Sequence, residues 1–568
     1  MTSSTFTPRA VHPRLRALVL ACAATLLPAS AMAFPADRTE TFAHGFSPAM
    51  GQAWTGAIQP DGKILFGGWV GNAPPGTLVN TDAMLARHLS DGSVDTAFGT
   101  GGTGTARTDV YGYGDAVLDM VETDAGLYAL GYANDYTIFH NVLFRYTASG
   151  QLDTSFGNGG KLVLALPSTD RLQSLSVQED GKLVLVGTAQ VGSSLDYLVL
   201  RLNPDGTFDP GFVNGGRVTY SASSGNDVAY TLTLQTDGRI LVVGETGMNE
   251  AAVMRLNTDG STDTTFGSYG IARLSMPPRR LMGRFIVHVP EGLVLVGSDT
   301  VNYANGTGGT CVSRLRDDGS LDTMFNGTGH QCGAYPAGTA NQLSGMQLLP
   351  TGQTLVAGMI TIDYGGGNGN RVMFSGRYTE GGAMDTSYDS AGTGMSIGGF
   401  GSALNVSTGV GHLGLLPDGQ FHIGGFSGGL LYGMRFQGTP MDLVPDAPTV
   451  PTVENVARST VQTSSLFYVS GLSQGAVVPF TVSNGSYIRN GFPATSRMGY
   501  VANGDWIKLV HTSASTYNTS VTTTARFGGV SPANNRTRAI GPQAVASFTS
   551  TTLPLLAPPP GRDPGNER

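Results

Sequence analysis

The sequence predicts an all-β protein in which one four-stranded unit is repeated and a smaller β-rich region follows. Glycine accounts for 82 of 568 residues, about twice its usual share of roughly 7%. Charged residues make up only 13%, while the apolar content of 40% is that of a folded chain. One pair of hairpins recurs seven times between about residues 45 and 445. Four short strands repeated seven times predict a seven-bladed β-propeller.

The first hairpin of each unit contains an Asp-Gly turn between two runs of alternating apolar residues. Examples are "SLSVQEDGKLVLVG" from Ser174 and "TLTLQTDGRILVVG" from Thr231. Asp-Gly between such runs is typical of a tight turn whose glycine adopts the left-handed conformation. This hairpin supplies the first two strands of the unit, A and B.

The second hairpin begins with an arginine and places an aspartate eight positions later. Examples are "RLNPDGTFDPGF" from Arg201 and "RLNTDGSTDTTF" from Arg255. A three-residue loop at residues 204–206 would place Arg201 opposite Asp209, where opposite charges stabilise the pairing by up to about 1 kcal/mol. In the seventh unit a shorter loop, residues 437–440, would keep the same register. We therefore predict seven structural, partly solvated ion pairs: Arg87–Asp95, Arg145–Asp153, Arg201–Asp209, Arg255–Asp263, Arg314–Asp322, Arg377–Asp385 and Arg435–Asp442.

These paired hairpins resemble the delta-60 repeats of bacterial secreted and surface proteins, in which "DGK-ILVVG" precedes "RLN-DG-LDxxFG". The resemblance covers about residues 45–445. Unit two departs from the pattern at the turn 123–126, unit five at residues 290–292, and unit seven has Pro445 where other units have an aromatic residue. The resemblance implies a propeller over residues 34–446, with a strand at residues 40–46 completing the last blade and closing the ring.

A Pro-rich linker, "APTVPT", separates the repeats from a Ser/Thr-rich region of alternating strands. About seven short strands in residues 447–553 predict a small β-sandwich. The run from "SNGSYIRNG" to "STYNTSVTTT" resembles an immunoglobulin-like module of Gram-negative exported proteins. Residues 554–568 have the composition of a disordered tail.

The N-terminus has the layout of a secretory signal peptide. Arg14 and Arg16 precede an apolar run and the small-residue site Ala31-Met32-Ala33, so residues 1–33 would be removed. Lipid attachment at Cys22 is the alternative. We therefore expect an exported protein in the periplasm, at the cell surface or outside the cell, and no other apolar run is long enough for a transmembrane segment.

The charge distribution argues against nucleic acid as the partner. The net charge is −8 for the whole chain and −11 without residues 1–33, because that segment contains three arginines and no acid. Residues 34–446 alone carry −16. Such an acidic body repels polyanions.

No pattern in the sequence predicts catalysis, a metal site or a cofactor. Two G-x-S-x-G matches place Ser396 and Ser427 in β-rich surroundings, without the strand-turn-helix context of a nucleophile. The histidines show no metal-ligand spacing. Cys311 and Cys332, 21 residues apart, are expected to form a disulfide in an exported chain, although the predicted hairpin places Cys311 opposite Phe325.

Geometry predicts where a ligand would bind. The tight A–B and C–D turns would share one face of the propeller, and the variable B–C and D–A links the other, where binding residues usually lie. Trp54, Tyr230 and Arg284 occupy one equivalent position, eight residues before the turn glycine. The full set of candidate binding residues is Trp54, Asp115, Asp170, Arg171, Asp227, Tyr230, Arg284, Asn341, Gln342 and His412.

Purely structural roles remain open as alternatives for these residues. They could merely solvate the mouth of a channel, Trp54 could pack between blades, and a lone strand histidine such as His412 is usually a hydrogen-bonded structural residue. We expect an exported, non-enzymatic binding or scaffold protein whose partner is an envelope or extracellular glycan or protein. The alternative is a hydrolase or lyase that acts on an extracellular polymer at the propeller mouth.

Overall fold

The computed structural model describes residues 38–44, 51–71, 80–123, 125–277, 279–288, 293–302, 308–334, 338–362, 370–389, 392–398, 408–416, 420–427, 430–436, 442–474, 476–494, 498–528 and 543–554. The predicted signal segment, nearly all of the predicted tail and the longest B–C links lie outside these residues. Within them the chain is all-β, with one short 3-10 turn at Val213–Gly216. The same residues contain no helix that could cross a membrane.

The described residues form seven four-stranded antiparallel sheets, one for each predicted unit. Strand β1 (Arg38–His44) belongs to sheet 7. Sheet 1 contains β2 (Gly51–Ile58), β3 (Ile64–Gly71), β4 (Thr81–His88) and β5 (Thr105–Thr108). Sheet 2 contains β6 (Asp115–Thr123), β7 (Gly126–Asn134), β8 (Phe139–Tyr146) and β9 (Lys161–Val163). Sheet 3 contains β10 (Arg171–Val177), β11 (Leu183–Val191), β12 (Ser194–Leu202) and β13 (Arg217–Tyr220). Sheet 4 contains β14 (Val228–Leu234), β15 (Ile240–Glu245), β16 (Ala251–Leu256) and β17 (Ile271–Leu274). Sheet 5 contains β18 (Arg279–His288), β19 (Val294–Asn302), β20 (Gly308–Leu315) and β21 (His330–Ala334). Sheet 6 contains β22 (Gly338–Leu348), β23 (Thr354–Ile362), β24 (Asn370–Tyr378) and β25 (Met395–Gly398). Sheet 7 contains β26 (Thr408–Leu415), β27 (Phe421–Ser427) and β28 (Leu430–Phe436) beside β1.

The Asp-Gly turns adopt the conformation that the sequence predicts. In sheet 3 the amide of Gln178 donates to the carbonyl of Lys182 at 2.8 Å, and Gly181 has a φ of 83°. In the second turn the amide of Asn203 donates to Thr207 at 2.7 Å, and Gly206 has a φ of 90°. A residue with a Cβ is strained at such φ values, which explains the glycine in these turns.

In sheets 1 to 6 the fourth strand starts later than the sequence predicts. After the turn at Gly206 only one bridge forms, between Leu202 and Phe208, and the chain then turns again before β13 begins at Arg217. In sheet 5 this delay changes the register, because Cys311 on β20 lies opposite Cys332 on β21 rather than opposite Phe325. The predicted Cys311–Cys332 disulfide is confirmed, and its two Cα atoms are 4.0 Å apart.

In sheets 1, 3, 4 and 5 the repeated arginine joins its sheet to the next one. Arg201 Nε lies 2.7 Å from Asp209 Oδ2, and the guanidinium lies 4.6 Å from the centre of the Phe212 ring. A terminal guanidinium nitrogen donates to the carbonyl of Thr258, which belongs to the second turn of sheet 4. The Phe212 ring packs on Gly260 of that turn, where an added Cβ would come within 2.5 Å of it. We call this arrangement of arginine, aspartate, aromatic ring and neighbouring turn the inter-unit clasp.

Six units place the arginine and aspartate of the clasp in contact. The Nε–Oδ2 distances are 2.8 Å for Arg87–Asp95 and Arg145–Asp153, and 2.7 Å for Arg201–Asp209, Arg255–Asp263, Arg314–Asp322 and Arg377–Asp385. The predicted loop of the seventh pair, Arg435–Asp442, lies outside the described residues, so that pair stays a prediction. The expectation of a partly solvated pair is wrong for Arg201–Asp209, whose side chains are only 7% and 6% exposed.

The first strands of the seven sheets neighbour one another in sequence order, and β26 neighbours β2. The chain ends of the repeat region meet in sheet 7, where β1 pairs antiparallel with β28 and Phe42 lies opposite Gly433. The middle strands are buried on both sides, because apolar residues of adjacent sheets pack between them. One such core joins Val186 and Val199 of sheet 3 to Leu232 and Val242 of sheet 4.

Each sheet presents its two kinds of connection at opposite ends. The two Asp-Gly turns of sheet 3 lie side by side, since a Cβ on Gly181 would come within 3.2 Å of the Pro204 ring. At the other end of sheet 2, the amide of Asn134, the last residue of β7, donates to the carbonyl of Gly114 in the D–A link at 3.0 Å. We call these ends the turn face and the loop face.

Two further sheets follow the repeats. The first contains β29 (Val453–Val456), β32 (Val477–Ser483), β35 (Met498–Ala502), β37 (Ser520–Phe527) and β38 (Ala544–Thr552). The second contains β30 (Val461–Thr463), β31 (Phe467–Tyr468), β33 (Ser486–Arg489), β34 (Phe492–Pro493) and β36 (Trp506–Thr512). His511 of the second sheet contacts Thr523 and Ser550 of the first at 2.8 and 2.7 Å, so the two sheets face each other.

This C-terminal region packs against the turn face of sheets 6 and 7. The amide of Val477 donates to the carbonyl of Pro350 at 3.0 Å, in the first turn of sheet 6. Leu349 of that turn and Leu416 of sheet 7 share a core with Phe467 and Leu472. The loop face is at the opposite end of these sheets.

We predict that Arg201→Ala destabilises the protein by about 3 kcal/mol, because it leaves the buried Asp209 carboxylate and the Thr258 carbonyl without their guanidinium partner. Lys182 is a matched control, since its ammonium lies 3.2 Å from the same carboxylate but its side chain is 29% exposed. Lys182→Ala should cost no more than about 1 kcal/mol. Urea midpoints followed by circular dichroism measure both effects, and equal effects would contradict the clasp.

We predict that the protein lacking residues 1–33, denatured without reductant, contains no titratable thiol, because Cys311 and Cys332 are its only cysteines. Reduction should lower the free energy of unfolding by on the order of 3 kcal/mol, since the bond closes a loop of 21 residues. Two free thiols per chain would show that the bond does not form. Cys311→Ala/Cys332→Ala is the control that reductant should leave unchanged.

Candidate ligand-binding face

A β-bulge interrupts the first strand of every sheet at one equivalent position. The pairing of the first and second strands shifts there in all seven sheets. The bulged residues are Trp54, Leu118, Gln173, Tyr230, Arg284, Ser344 and Gly411. Bulges re-aim side chains, and these residues are more accessible than the residues immediately before them. The seven first strands neighbour one another in a ring, so a bulge in such a strand can turn its side chain towards the space that the ring encloses.

Tyr230 and Arg284 form a closed polar network. The Tyr230 hydroxyl donates to Glu245 at 2.9 Å, and the Arg284 guanidinium lies 4.0 Å from the centre of the Tyr230 ring. Arg284 also pairs with the fully buried Asp299 at 2.9 Å, and Arg280 pairs with Glu245 at 2.7 Å. Burial and the neighbouring Glu245 raise the pKa of Tyr230 to about 12. The phenol therefore stays protonated and acts as a donor.

The predicted aspartates are buried rather than exposed on a rim. Asp227 accepts hydrogen bonds from the amides of Ala222 and Ser223, both at 2.7 Å, and is 0% exposed. Asp170 pairs with Arg217 at 2.8 Å. Asp115 accepts from the amide of Val110 at 2.8 Å. Asp115 and Asp227 thus bind the chain that precedes their own first strands, whereas Asp170 binds the fourth strand of its own sheet.

The remaining predicted residues differ in exposure. Arg171 is exposed, and its guanidinium lies 5.5 Å from the centre of the Phe139 ring. Gln342 is exposed, and the side chain of Asn341 lies outside the described part of the chain. His412 is buried, with its ring centre 5.8 Å from that of His422. Burial, with His412 nearby, holds the pKa of His422 well below its usual value, so this pair belongs to the core.

A group of aromatic side chains lies at the loop face of sheet 2, with Trp54 of sheet 1 beside it. We call it the aromatic patch, and it consists of Trp54, Tyr111, Tyr113, Tyr132, Tyr136 and Phe139. Trp54 is 37% exposed, which excludes a purely interior packing role, and Tyr136 is 77% exposed. Tyr132 lies between Trp54 and Phe139, with centroid distances of 6.3 and 5.3 Å. Tyr113 and Tyr136 form a second pair at 5.4 Å.

Short hydrogen-bonded loops hold the patch. The Asp135 carboxylate accepts from the amides of Thr137 and Ile138, both at 2.9 Å, and contacts His140 Nε2 at 2.9 Å. Hydrogen bonds from Thr137, then from His140, hold the pKa of Asp135 below its usual value. Tyr136 has a φ of 81°, a conformation that non-glycine residues seldom adopt. Such strain persists where the surroundings impose it, and it often marks functional loops.

Sequence reasoning found Trp54 but missed the rest of the patch. A signal was present, because "VYGYG" from Val110 and "YTIF" from Tyr136 put aromatic residues into links where turn residues are usual. Only the structure shows that these two links lie side by side. Ser396 and Ser427 lie on β25 and β27, within four-stranded sheets. Among the described residues no group of three His, Cys, Asp or Glu side chains could hold a metal ion.

We predict that Asp115 makes stability depend on pH. Burial, followed by the charges of Asp109 and Asp82, raises its pKa from 3.8 to about 7. The folded state therefore binds a proton that the unfolded state releases, so this group loses stabilising free energy as pH rises from about 4 to about 7. The free energy of unfolding of Asp115→Asn, compared with that of the wild type at the same pH, should increase by on the order of a few kcal/mol between pH 4 and pH 8. Urea midpoints at several pH values test this, and parallel curves for both proteins would refute it.

Comparison with known proteins agrees with the repeat architecture. A family model described as "Domain of unknown function (DUF5122) beta-propeller" matches residues 59–98, 127–156, 178–212, 235–266 and 292–325. These segments run from the first turn of a unit to the aromatic residue of its clasp in units one, three, four and five. No curated protein matches the chain.

Solved structures with similarity include two that are named as enzymes, and Sqt1. Polysaccharide lyase Uly1 matches with 9% identity and a TM-score of 0.35, over 71% of this chain and 92% of the lyase. Sqt1 from Chaetomium thermophilum matches with 10% identity and a TM-score of 0.33, over 71% and 99%. A GH43 endo-arabinanase from Bacillus licheniformis matches with 12% identity and a TM-score of 0.28, over 47% and 95%. These values are too low to support an argument about activity. The family match and the four-stranded sheets nevertheless make this chain a β-propeller repeat protein.

Proposed function

We propose that this chain is an exported, non-enzymatic binding protein whose loop face receives a carbohydrate or protein partner. The observation that carries the proposal is the aromatic patch. Single exposed apolar residues are ordinary, but several exposed aromatic side chains gathered at one end of a sheet, among polar side chains, are typical of binding surfaces. Three residues of the patch, Tyr111, Tyr113 and Tyr136, lie on variable links, while the opposite turn face repeats one Asp-Gly pattern in most units.

We propose seven delta-60-like blades over residues 34–446 and an immunoglobulin-like sandwich over residues 447–553. The ring of neighbouring first strands and the pairing of β1 with β28 support closure by the chain start. The packing of Val477 on Pro350 supports a sandwich attached to the turn face. That arrangement leaves the loop face accessible, with the sandwich as a spacer towards the envelope.

Export is supported by the disulfide between Cys311 and Cys332 together with the signal-like segment 1–33. Disulfides persist in oxidising compartments and are rare in reducing ones. The protein would act in the periplasm, at the cell surface or outside the cell.

Binding is favoured over hydrolysis or lyase chemistry because the carboxylates near the ring of first strands are already engaged. Asp119 accepts from the Ser174 hydroxyl at 2.8 Å and from the amide of Leu175 at 3.0 Å. Asp299 accepts from the amide of Leu343 at 2.6 Å as well as from Arg284. A general acid or base must be able to reach a substrate proton, whereas these groups hold neighbouring strands together.

We predict that Trp54→Ala and Tyr136→Ala each weaken capture of the partner by roughly 5- to 100-fold while folding normally, as expected for central aromatic residues of an interface. Asp61→Ala and Asp180→Ala on the turn face are the controls and should bind like the wild type. The measurement is the amount of envelope glycan or culture protein that the immobilised protein captures. A broad screen for hydrolase activity is run in parallel. Capture that depends on Asp61 and Asp180, or rapid cleavage of a polymer, would contradict the proposal.

A further inference from the structure

We propose that the aromatic patch binds a neutral polysaccharide chain, with successive sugar rings stacked on its aromatic side chains. This inference rests on the proposed function and names the ligand class of the same surface. It follows from the composition, arrangement, rigidity and charge of the patch.

The patch is aromatic rather than generally apolar. Its exposed members are Trp54, Tyr111, Tyr113, Tyr136 and Phe139, and the exposed aliphatic residue in the same loops is Ile138. Flexible, mixed apolar surfaces suit protein partners of varied shape. Flat rings with polar edges suit pyranose rings, because a sugar presents a flat C–H face surrounded by hydroxyl groups. Tyrosine offers both a stacking plane and a hydroxyl for hydrogen bonding.

The rings are arranged as a series of platforms. Trp54 and Tyr132 are tilted by 31° at 6.3 Å, and Tyr113 and Tyr136 by 42° at 5.4 Å. Tyr111 adds a further exposed ring, whose centre lies 5.2 Å from that of His140. A pyranose ring and an aromatic side chain are of similar width, so several exposed rings can contact several linked sugars rather than one monosaccharide. Tilted neighbouring planes suit a chain whose successive residues change orientation.

The patch is held in place before any ligand arrives. Besides the Asp135 contacts, the amide of Gly112 donates to Asp109 at 2.6 Å and the amide of Val110 donates to Asp115 at 2.8 Å. The two links that carry aromatic residues, 109–114 and 134–139, are therefore each fixed by hydrogen bonds to aspartate side chains. Preformed loops lower the entropy cost of binding, which matters for a polymer that makes only shallow contacts with each sugar.

The charges around the patch favour a neutral polymer over an anionic one. The Lys161 ammonium donates to the carbonyl of Asp109 at 3.0 Å, and Arg171 donates to the carbonyls of Ser168 and Asp170 at 2.6 and 2.8 Å. His140 faces Asp135. These cations are directed to the protein's own oxygens, while the Asp109 and Asp135 carboxylates would repel uronate or sulfate groups.

The test is native affinity electrophoresis of the full mature chain in gels that contain a soluble polysaccharide. The neutral probes are mixed-linkage β-glucan, xyloglucan and galactomannan, and the anionic probes are polygalacturonate and alginate. We expect at least one neutral polymer to retard the protein. Tyr113→Ala and Tyr136→Ala should each weaken that retardation at least tenfold, and Tyr113→Phe should keep most of it because the stacking plane remains.

Tyr269→Ala is the matched control. Tyr269 is 85% exposed and lies in the turn before β17, the fourth strand of sheet 4, outside the patch. It should be retarded like the wild type. Retardation by none of the neutral polymers, retardation by anionic polymers alone, or equal retardation of the patch variants would overturn the inference. A protein partner whose capture requires Tyr113 and Tyr136, without any glycan binding, would leave the proposed function standing and refute the polysaccharide. Capture that is indifferent to both tyrosines would refute both.

Discussion

A buried arginine that extends from one repeat into the turn of the next is the interaction on which the rest of this structure depends. Arg201 neutralises Asp209, covers the Phe212 ring and donates to the carbonyl of Thr258 in the following unit. A guanidinium removed from water is tolerable only when its donors are satisfied. The ring packs against Gly260, and a side chain there would push the two sheets apart. One contact thus explains why arginine, aspartate, aromatic residue and glycine recur together.

Because the clasps occupy the turn face, the opposite ends of the sheets are free to vary. The turns use their backbone groups in their own hairpins and their side chains in the neighbouring unit, so their sequence is constrained. The links on the loop face are held by a few buried carboxylates such as Asp115 and Asp227. Substitutions between these anchors change the surface without disturbing the sheets. The C-terminal region packs against the constrained face, at Pro350 and Leu349.

The bulge in each first strand connects the fold with the candidate site. It turns one residue per sheet towards the space inside the ring, and that residue differs from sheet to sheet. At Tyr230 and Arg284 the result is a self-satisfied polar network, and at Trp54 it is an accessible ring that continues into the aromatic patch. The same kind of β-bulge therefore stabilises the ring at sheets 4 and 5 and exposes an aromatic side chain to a ligand at sheet 1.

The sequence by itself determined the repeat, the Asp-Gly turns, the Arg–Asp spacing and the equivalence of Trp54, Tyr230 and Arg284, because all of these depend on residues close together in the chain. It did not determine that the arginine reaches the next unit, that Cys311 lies opposite Cys332, or that two aromatic links form one surface. These features depend on how separate strands pack, since a second turn delays the fourth strand and the loops of one sheet meet only at its end. Burial was misjudged for the same reason. A charged pair that looks solvated within a single hairpin becomes interior once the adjacent sheet covers it.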